Sequence, residues 1–109
     1  MIWNEKNRKR ADTISDCYGL ESQMSVAQEE CAELIQAISK LRRAGAAGLD
    51  TAEKRVRYVE ARSHLAEEMA DVANLLMQLI HLLNNAPMVE FWLNQKLERT
   101  LRDIREEGA

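Results

Sequence analysis

Two short stretches of the chain carry the same arrangement of carboxylates: Glu29-Glu30-Cys31-Ala32-Glu33 and Glu67-Glu68-Met69-Ala70-Asp71. Each has two glutamates, an apolar residue, an alanine and a further acid. The likeness continues beyond the acids, where Leu34-Ile35-Gln36-Ala37-Ile38 matches Val72-Ala73-Asn74-Leu75-Leu76. Acids three apart on a helix are separated by about 60° around its axis, so Glu30 shares a face with Glu33, and Glu68 with Asp71. Carboxylate oxygens suit hard divalent cations, and several carboxylates brought together by folding need neutralising, by protons or by a cation. One such pair is ordinarily a solvated helix face. Two pairs held level on neighbouring helices point to a metal site.

The elements needed to hold them level can be read from the apolar spacing. Met24, Ala27, Cys31, Leu34, Ile38 and Leu41 recur at three and four, which predicts an amphipathic helix from about Leu20 to Arg43. Ala44-Gly45-Ala46-Ala47-Gly48-Leu49 reads as a loop, and Asp50 with Glu53 as a capping box opening the next helix. That helix runs to Leu83, with a stripe of Leu65, Met69, Val72, Leu76, Ile80 and Leu83. Asn84-Asn85 breaks it, and Pro87 suits the first turn of a third long helix whose inward face is Val89, Leu93, Leu97, Thr100 and Ile104. Upstream, Ala11 to Tyr18 predicts a short helix stopped by Gly19, after a polar, basic arm over residues 1–10. The expected fold is all-α: a bundle of three long helices plus a short N-terminal helix, forming a single domain over 1–109. A hairpin turning near residues 47–50 sets Glu30, Glu33, Glu68 and Asp71 at one height, leaving Glu29 and Glu67 solvated.

Composition narrows the class. A chain of 109 residues with one proline, four glycines and a net charge of −3 suggests neither a nucleic-acid polymer nor a membrane as partner. Cys17 and Cys31 lack metal-ligand spacing and read as reduced thiols of a cytoplasmic protein. Neither His64 nor His81 completes the Glu-x-x-His pair of a di-iron bundle, so all-oxygen ligation favours Mg²⁺, with Mn²⁺ as the alternative. His64 falls on the acid flank as a bystander, while Gln36 and Asn74 point away from it. On the last helix Lys96 and Arg99 share a flank with Trp92, two cations suited to phosphate beside an aromatic residue that reads as packing.

The pair Glu30/Glu33 followed by Glu68/Asp71 resembles the MazG-type all-α nucleoside triphosphate pyrophosphohydrolases. Tyr18-Gly19-Leu20-Glu21-Ser22-Gln23 looks like that family's lead-in to its first acidic box, and Asn94-Gln95-Lys96-Leu97-Glu98-Arg99 resembles its Asn-x-Lys-x-x-Arg segment. The resemblance covers most of the chain. It implies Mg²⁺-dependent hydrolysis of a nucleoside triphosphate to monophosphate and pyrophosphate, in the manner of nucleotide-pool house-cleaning enzymes. Glu30, Glu33, Glu68 and Asp71 would be the metal-binding catalytic acids, and Asn94, Lys96 and Arg99 the substrate-binding residues. One of the glutamates, or Glu29 or Glu67 behind them, would activate the water. A homodimer or homotetramer is implied, and the small core with three long stripes suggests completion by a second copy as well. The stretch from Leu34 to Glu67 between the boxes is longer than is usual in the family, which bears on substrate and assembly more than on chemistry. Two rival readings are a phosphoribosyl-ATP pyrophosphohydrolase, which shares the fold and the acidic boxes, and a non-catalytic helical interaction module.

Overall fold

The computed structural model describes residues 1–108, which form four helices and, among those residues, no strand: α1 (Glu5–Tyr18), α2 (Leu20–Ala46), α3 (Ala52–Leu83) and α4 (Ala86–Glu106). α2 and α3 make an antiparallel hairpin, α1 lies mainly against α3, and α4 touches α3 alone. No helix among the described residues is long and apolar enough to cross a membrane.

Local chemistry explains the boundaries, and corrects three of them. The basic N-terminal segment is helix from Glu5 onward rather than a loose arm: the Asn4 side chain accepts from the Asn7 amide at 2.8 Å, and Lys9 pairs with Glu5 one turn earlier. α2 runs on to Ala46, through Gly45, so the loop is shorter than the Ala/Gly composition suggests. The cap of α3 is Thr51, whose hydroxyl accepts from the Lys54 amide at 3.1 Å, whereas Asp50 pairs with the Lys54 ammonium at 2.9 Å. Gly19 (φ 86°) ends α1 and starts α2, and Asn84 (φ 50°) closes α3 in the left-handed conformation that its short polar side chain tolerates.

The apolar stripes are buried only in part: Ala27, Leu34 and Leu41 of α2 and Leu65, Val72 and Ile80 of α3 are half-buried, and the deepest positions lie beside them. In α2 the seam against α3 is Gln23, Glu30 and Ala37, at seven-residue spacing; in α3 it includes Glu68 and Leu75 at the same spacing. The apolar residues Met24, Cys31 and Ile38, and likewise Met69, Leu76 and Leu83, each sit one position further on, about 100° around the helix. All six are exposed. On α4 no residue is buried, so Val89, Leu93, Leu97, Thr100 and Ile104 form no inward face within the chain. The sequence pattern marks apolar faces, and the chain's own packing leaves part of each open. The outline agrees: the radius of gyration is 17.7 Å, against about 13 Å for a compact chain of this length. The accessible surface is 8520 Å², against about 6,200 Å² for a folded monomer of this mass.

Beside the acids and Leu75, the seam holds amides. Gln23 Nε2 donates to Gln78 Oε1 at 2.6 Å, and Gln78 Nε2 donates to Asn74 Oδ1 at 2.9 Å, with Gln78 1% exposed. Gln78→Ala strands the buried Gln23 amide and is expected to cost about 1–3 kcal/mol; urea denaturation of the variant beside wild type measures this. α1 is fastened to α3 by His81, whose Nε2 lies 2.8 Å from Asp16 and whose Nδ1 lies 3.5 Å from Asp12.

Candidate metal centre

Glu30 lies on the α2 seam, so the α2 phase that brings Gln23 and Ala37 against α3 brings this carboxylate with them. From α3, Glu68 meets it at the seam and Asp71 from the flank, one helical turn on. Each of the three offers an oxygen within 4.8 Å of the others. Glu30 is half-buried, Glu68 is 7% exposed and Asp71 is exposed, so the cluster is a notch with one wet side.

The electrostatics record the crowding. Withdrawal from water, then the charges of Asp71 and Glu33, a hydrogen bond with Asp71 and the charge of Glu68 push the Glu30 carboxyl up to about 7. Glu68 is raised by withdrawal from water, by Glu33 and Asp71 and by a hydrogen bond with Glu33, while His64 pulls it the other way. His64 Nε2 stands 3.8 Å from Glu68 and Nδ1 3.7 Å from Glu67. His64 is thus a neighbour of the cluster, a position its spacing of four from Glu68 announces on a helix.

Buried Glu30 Oε2 and Glu68 Oε2 each lack a hydrogen-bond partner. Unpaired buried carboxylate oxygens are costly, and two of them at one notch fit a cation. Adjacent ligands of octahedral Mg²⁺ stand about 3 Å apart, so three oxygens within 4.8 Å of one another would close by up to about 2 Å around a shared ion. The donors are all oxygen, and neither free cysteine belongs to the set.

Of the residues singled out by spacing, the fold therefore gathers Glu30, Glu68 and Asp71, with Glu33 beside them. Glu29 and Glu67 are exposed. Asn94, Lys96 and Arg99 are exposed on α4, a helix that does not touch α2, and they stand apart from the acid cluster. No family model, curated protein or solved structure matches this chain.

The acidic boxes gave no hint of the Gln23–Gln78 pair that flanks the site. The available signal was the heptad spacing of Gln23 with Glu30 and Ala37, which names the seam once a polar residue is allowed on it.

Proposed function

We propose that the chain hydrolyses nucleoside triphosphates to monophosphate and pyrophosphate, using a divalent cation held by Glu30, Glu68 and Asp71. The observation that carries this reading is the convergence of those carboxylates with two unpartnered buried oxygens, on the same acids that give the chain its MazG-type resemblance. When bound, Mg²⁺ or Mn²⁺ at this notch would offset triphosphate charge and acidify a water.

The chain's own groups account for the remaining chemistry. The water oxygen bonds to the α-phosphorus while the bond from that phosphorus to the α–β bridging oxygen breaks, and pyrophosphate leaves with that oxygen. Glu33, beside the three donors but outside their shared set, is the carboxylate available to take the water's proton. The Gln23–Gln78 bond, with Asn74 orienting Gln78, links the two helices beside the acids. A pyrophosphate-release screen across canonical and damaged ribo- and deoxyribonucleoside triphosphates, with and without Mg²⁺, tests the reading. Phosphoribosyl-ATP belongs in the same panel. Release that is absent from every substrate, or indifferent to chelation, would overturn it.

The active form on this proposal is a homo-oligomer. Excess surface and exposed Met24, Ile38, Met69, Leu76 and the α4 stripe support a second copy packed on the apolar flank. In such an assembly the neighbour's α4 would be the route by which Asn94, Lys96 and Arg99 reach substrate. The double substitution Ile38→Asp/Leu76→Asp is expected to halve the mass measured by light scattering, or more than halve it if the form is a tetramer. An unchanged mass would move the interface elsewhere.

A further inference from the structure

South of the acids, on the same flank of the α2–α3 hairpin, runs an open groove of about 510 Å³ lined by Lys40, Arg43, Arg57, Glu60 and His64 over an alanine floor. Its volume falls in the range typical of small-ligand sites. Lys40 lies two turns beyond Glu33 on α2, and His64 two turns from Asp71 on α3, each about 10 Å along the helix. The groove's near end is the His64 ring, 3.8 Å from Glu68, so groove and acid cluster adjoin.

Three cations face one carboxylate there, in a chain whose net charge is negative. Among the described residues none of Lys40, Arg43 and Arg57 stands within ion-pairing distance of an acid, although Lys9 and Lys54 do. Arg43, in the last turn of α2, suits its dipole. Lys40 and Arg57 do not have that explanation: Lys40 lies before the last turn of α2 and Arg57 in the second turn of α3. Its basic neighbours Lys54 and Arg55 are taken by Asp50 and by the Leu49 carbonyl, which leaves Arg57 facing the groove. Small residues at Ala44, Ala47 and Ala61 let a chain of phosphates come close to both helices.

We propose that this groove binds polyphosphate on Lys40, Arg43 and Arg57 of the same protomer, with Lys40, the cation nearest the acid cluster, meeting the terminal phosphate of the substrate. The identity of the anion rests on the pyrophosphohydrolase reading; the groove's affinity for polyphosphate does not. The cations lie on the stretch between the acidic boxes. Guanidinium and ammonium donors along the groove bind phosphate oxygens, and Lys40 helps to hold the leaving pyrophosphate in line.

The test is calorimetric titration of the full chain with inorganic tripolyphosphate, at low ionic strength and in EDTA, where the acid cluster contributes no attraction. Wild type is expected to bind. Lys40→Ala/Arg57→Ala is expected to lose tenfold or more, and Arg42→Ala, which removes a cation outside the groove, to stay within twofold. No binding by wild type, an unaltered double variant, or an equal loss in Arg42→Ala overturns the proposal. In Mg²⁺ assays the double variant is expected to raise KM about tenfold with kcat changed much less; a fall in kcat alone would contradict a binding role. If wild type binds tripolyphosphate but releases no pyrophosphate from any nucleotide, the catalytic reading fails and the anion groove stands.

Discussion

Glu30→Gln is expected to lower Mg²⁺-dependent pyrophosphate release by about two orders of magnitude or more while raising the melting temperature of the metal-free protein at pH 8. Both effects come from one oxygen. As a carboxylate, Glu30 is placed in the seam among Asp71, Glu33 and Glu68, and its pKa near 7 records how poorly the folded chain accepts that charge. The amide keeps the shape and removes the repulsion, which favours the apo fold, but is a far weaker cation ligand. Asp71→Asn is expected to match the loss of activity. Circular dichroism should show unchanged helicity in both. Full activity in either variant would remove that residue from the metal site, and a lower melting temperature for metal-free Glu30→Gln would mean that the charge is stabilised by something other than a cation.

The second large effect is a reversal of pH dependence by metal. In the folded, metal-free chain Glu30 holds its proton up to about pH 7, whereas its ordinary value is 4.5. Between those values the folded state binds more protons than the unfolded one, so stability falls as pH rises. The contribution is complete below about 4.5 and is lost as pH passes through 7; the raised Glu68 carboxyl acts in the same direction. On the proposed function, a divalent cation would bind the deprotonated acids and stabilise the fold by mass action. Metal-free protein should therefore melt lower at pH 7.5 than at pH 5.5, and millimolar Mg²⁺ should raise the melting point at pH 7.5 and have little effect at pH 5.5. Differential scanning fluorimetry over that range, with Glu30→Gln as the flattened control, decides it. An equal Mg²⁺ shift at both pH values would show that the cation binds elsewhere.

The helices were readable because their ends carry distinct chemistry: Gly19, Asn84 and Pro87 all act where their backbone preferences say they should. The level meeting of Glu30, Glu68 and Asp71 was readable too, since a short turn fixes which residues of a hairpin face one another. What misled was helical phase. Apolar periodicity joins the half-buried Leu34, Leu41, Leu65 and Val72 in one stripe with the exposed Met24, Cys31 and Ile38 of α2 and Met69, Leu76 and Leu83 of α3, whereas the seam positions Gln23, Glu30, Ala37, Glu68 and Leu75 stand one residue before exposed ones. An amphipathic pattern states that a face will be covered and is silent on whether the same chain covers it. Lys96 and Arg99 raise the same issue, since an exposed α4 sets them apart from the acids of their own chain. The helical start at Glu5 rests on the Asn4 cap, a single polar residue in a segment whose basic composition points to an arm.

A hairpin held together by leucines alone has several nearly equivalent ways of sliding along itself, because one aliphatic contact is much like the next. Slipping by one helical turn moves a residue about 5.4 Å, more than the 4.8 Å within which the carboxylate oxygens gather. The Gln23–Gln78 bond crosses the hairpin and is lost if the helices slide by a turn, while the Gln78–Asn74 bond within α3 fixes the amide that receives it. Replacing both glutamines with leucine would therefore trade uniformity for cohesion: a tougher hairpin whose molecules are divided among alignments, only some able to hold an ion. The amides work as a gauge for the acids, and titratable Mn²⁺ sites per chain, rather than melting temperature, is the quantity that reports on them.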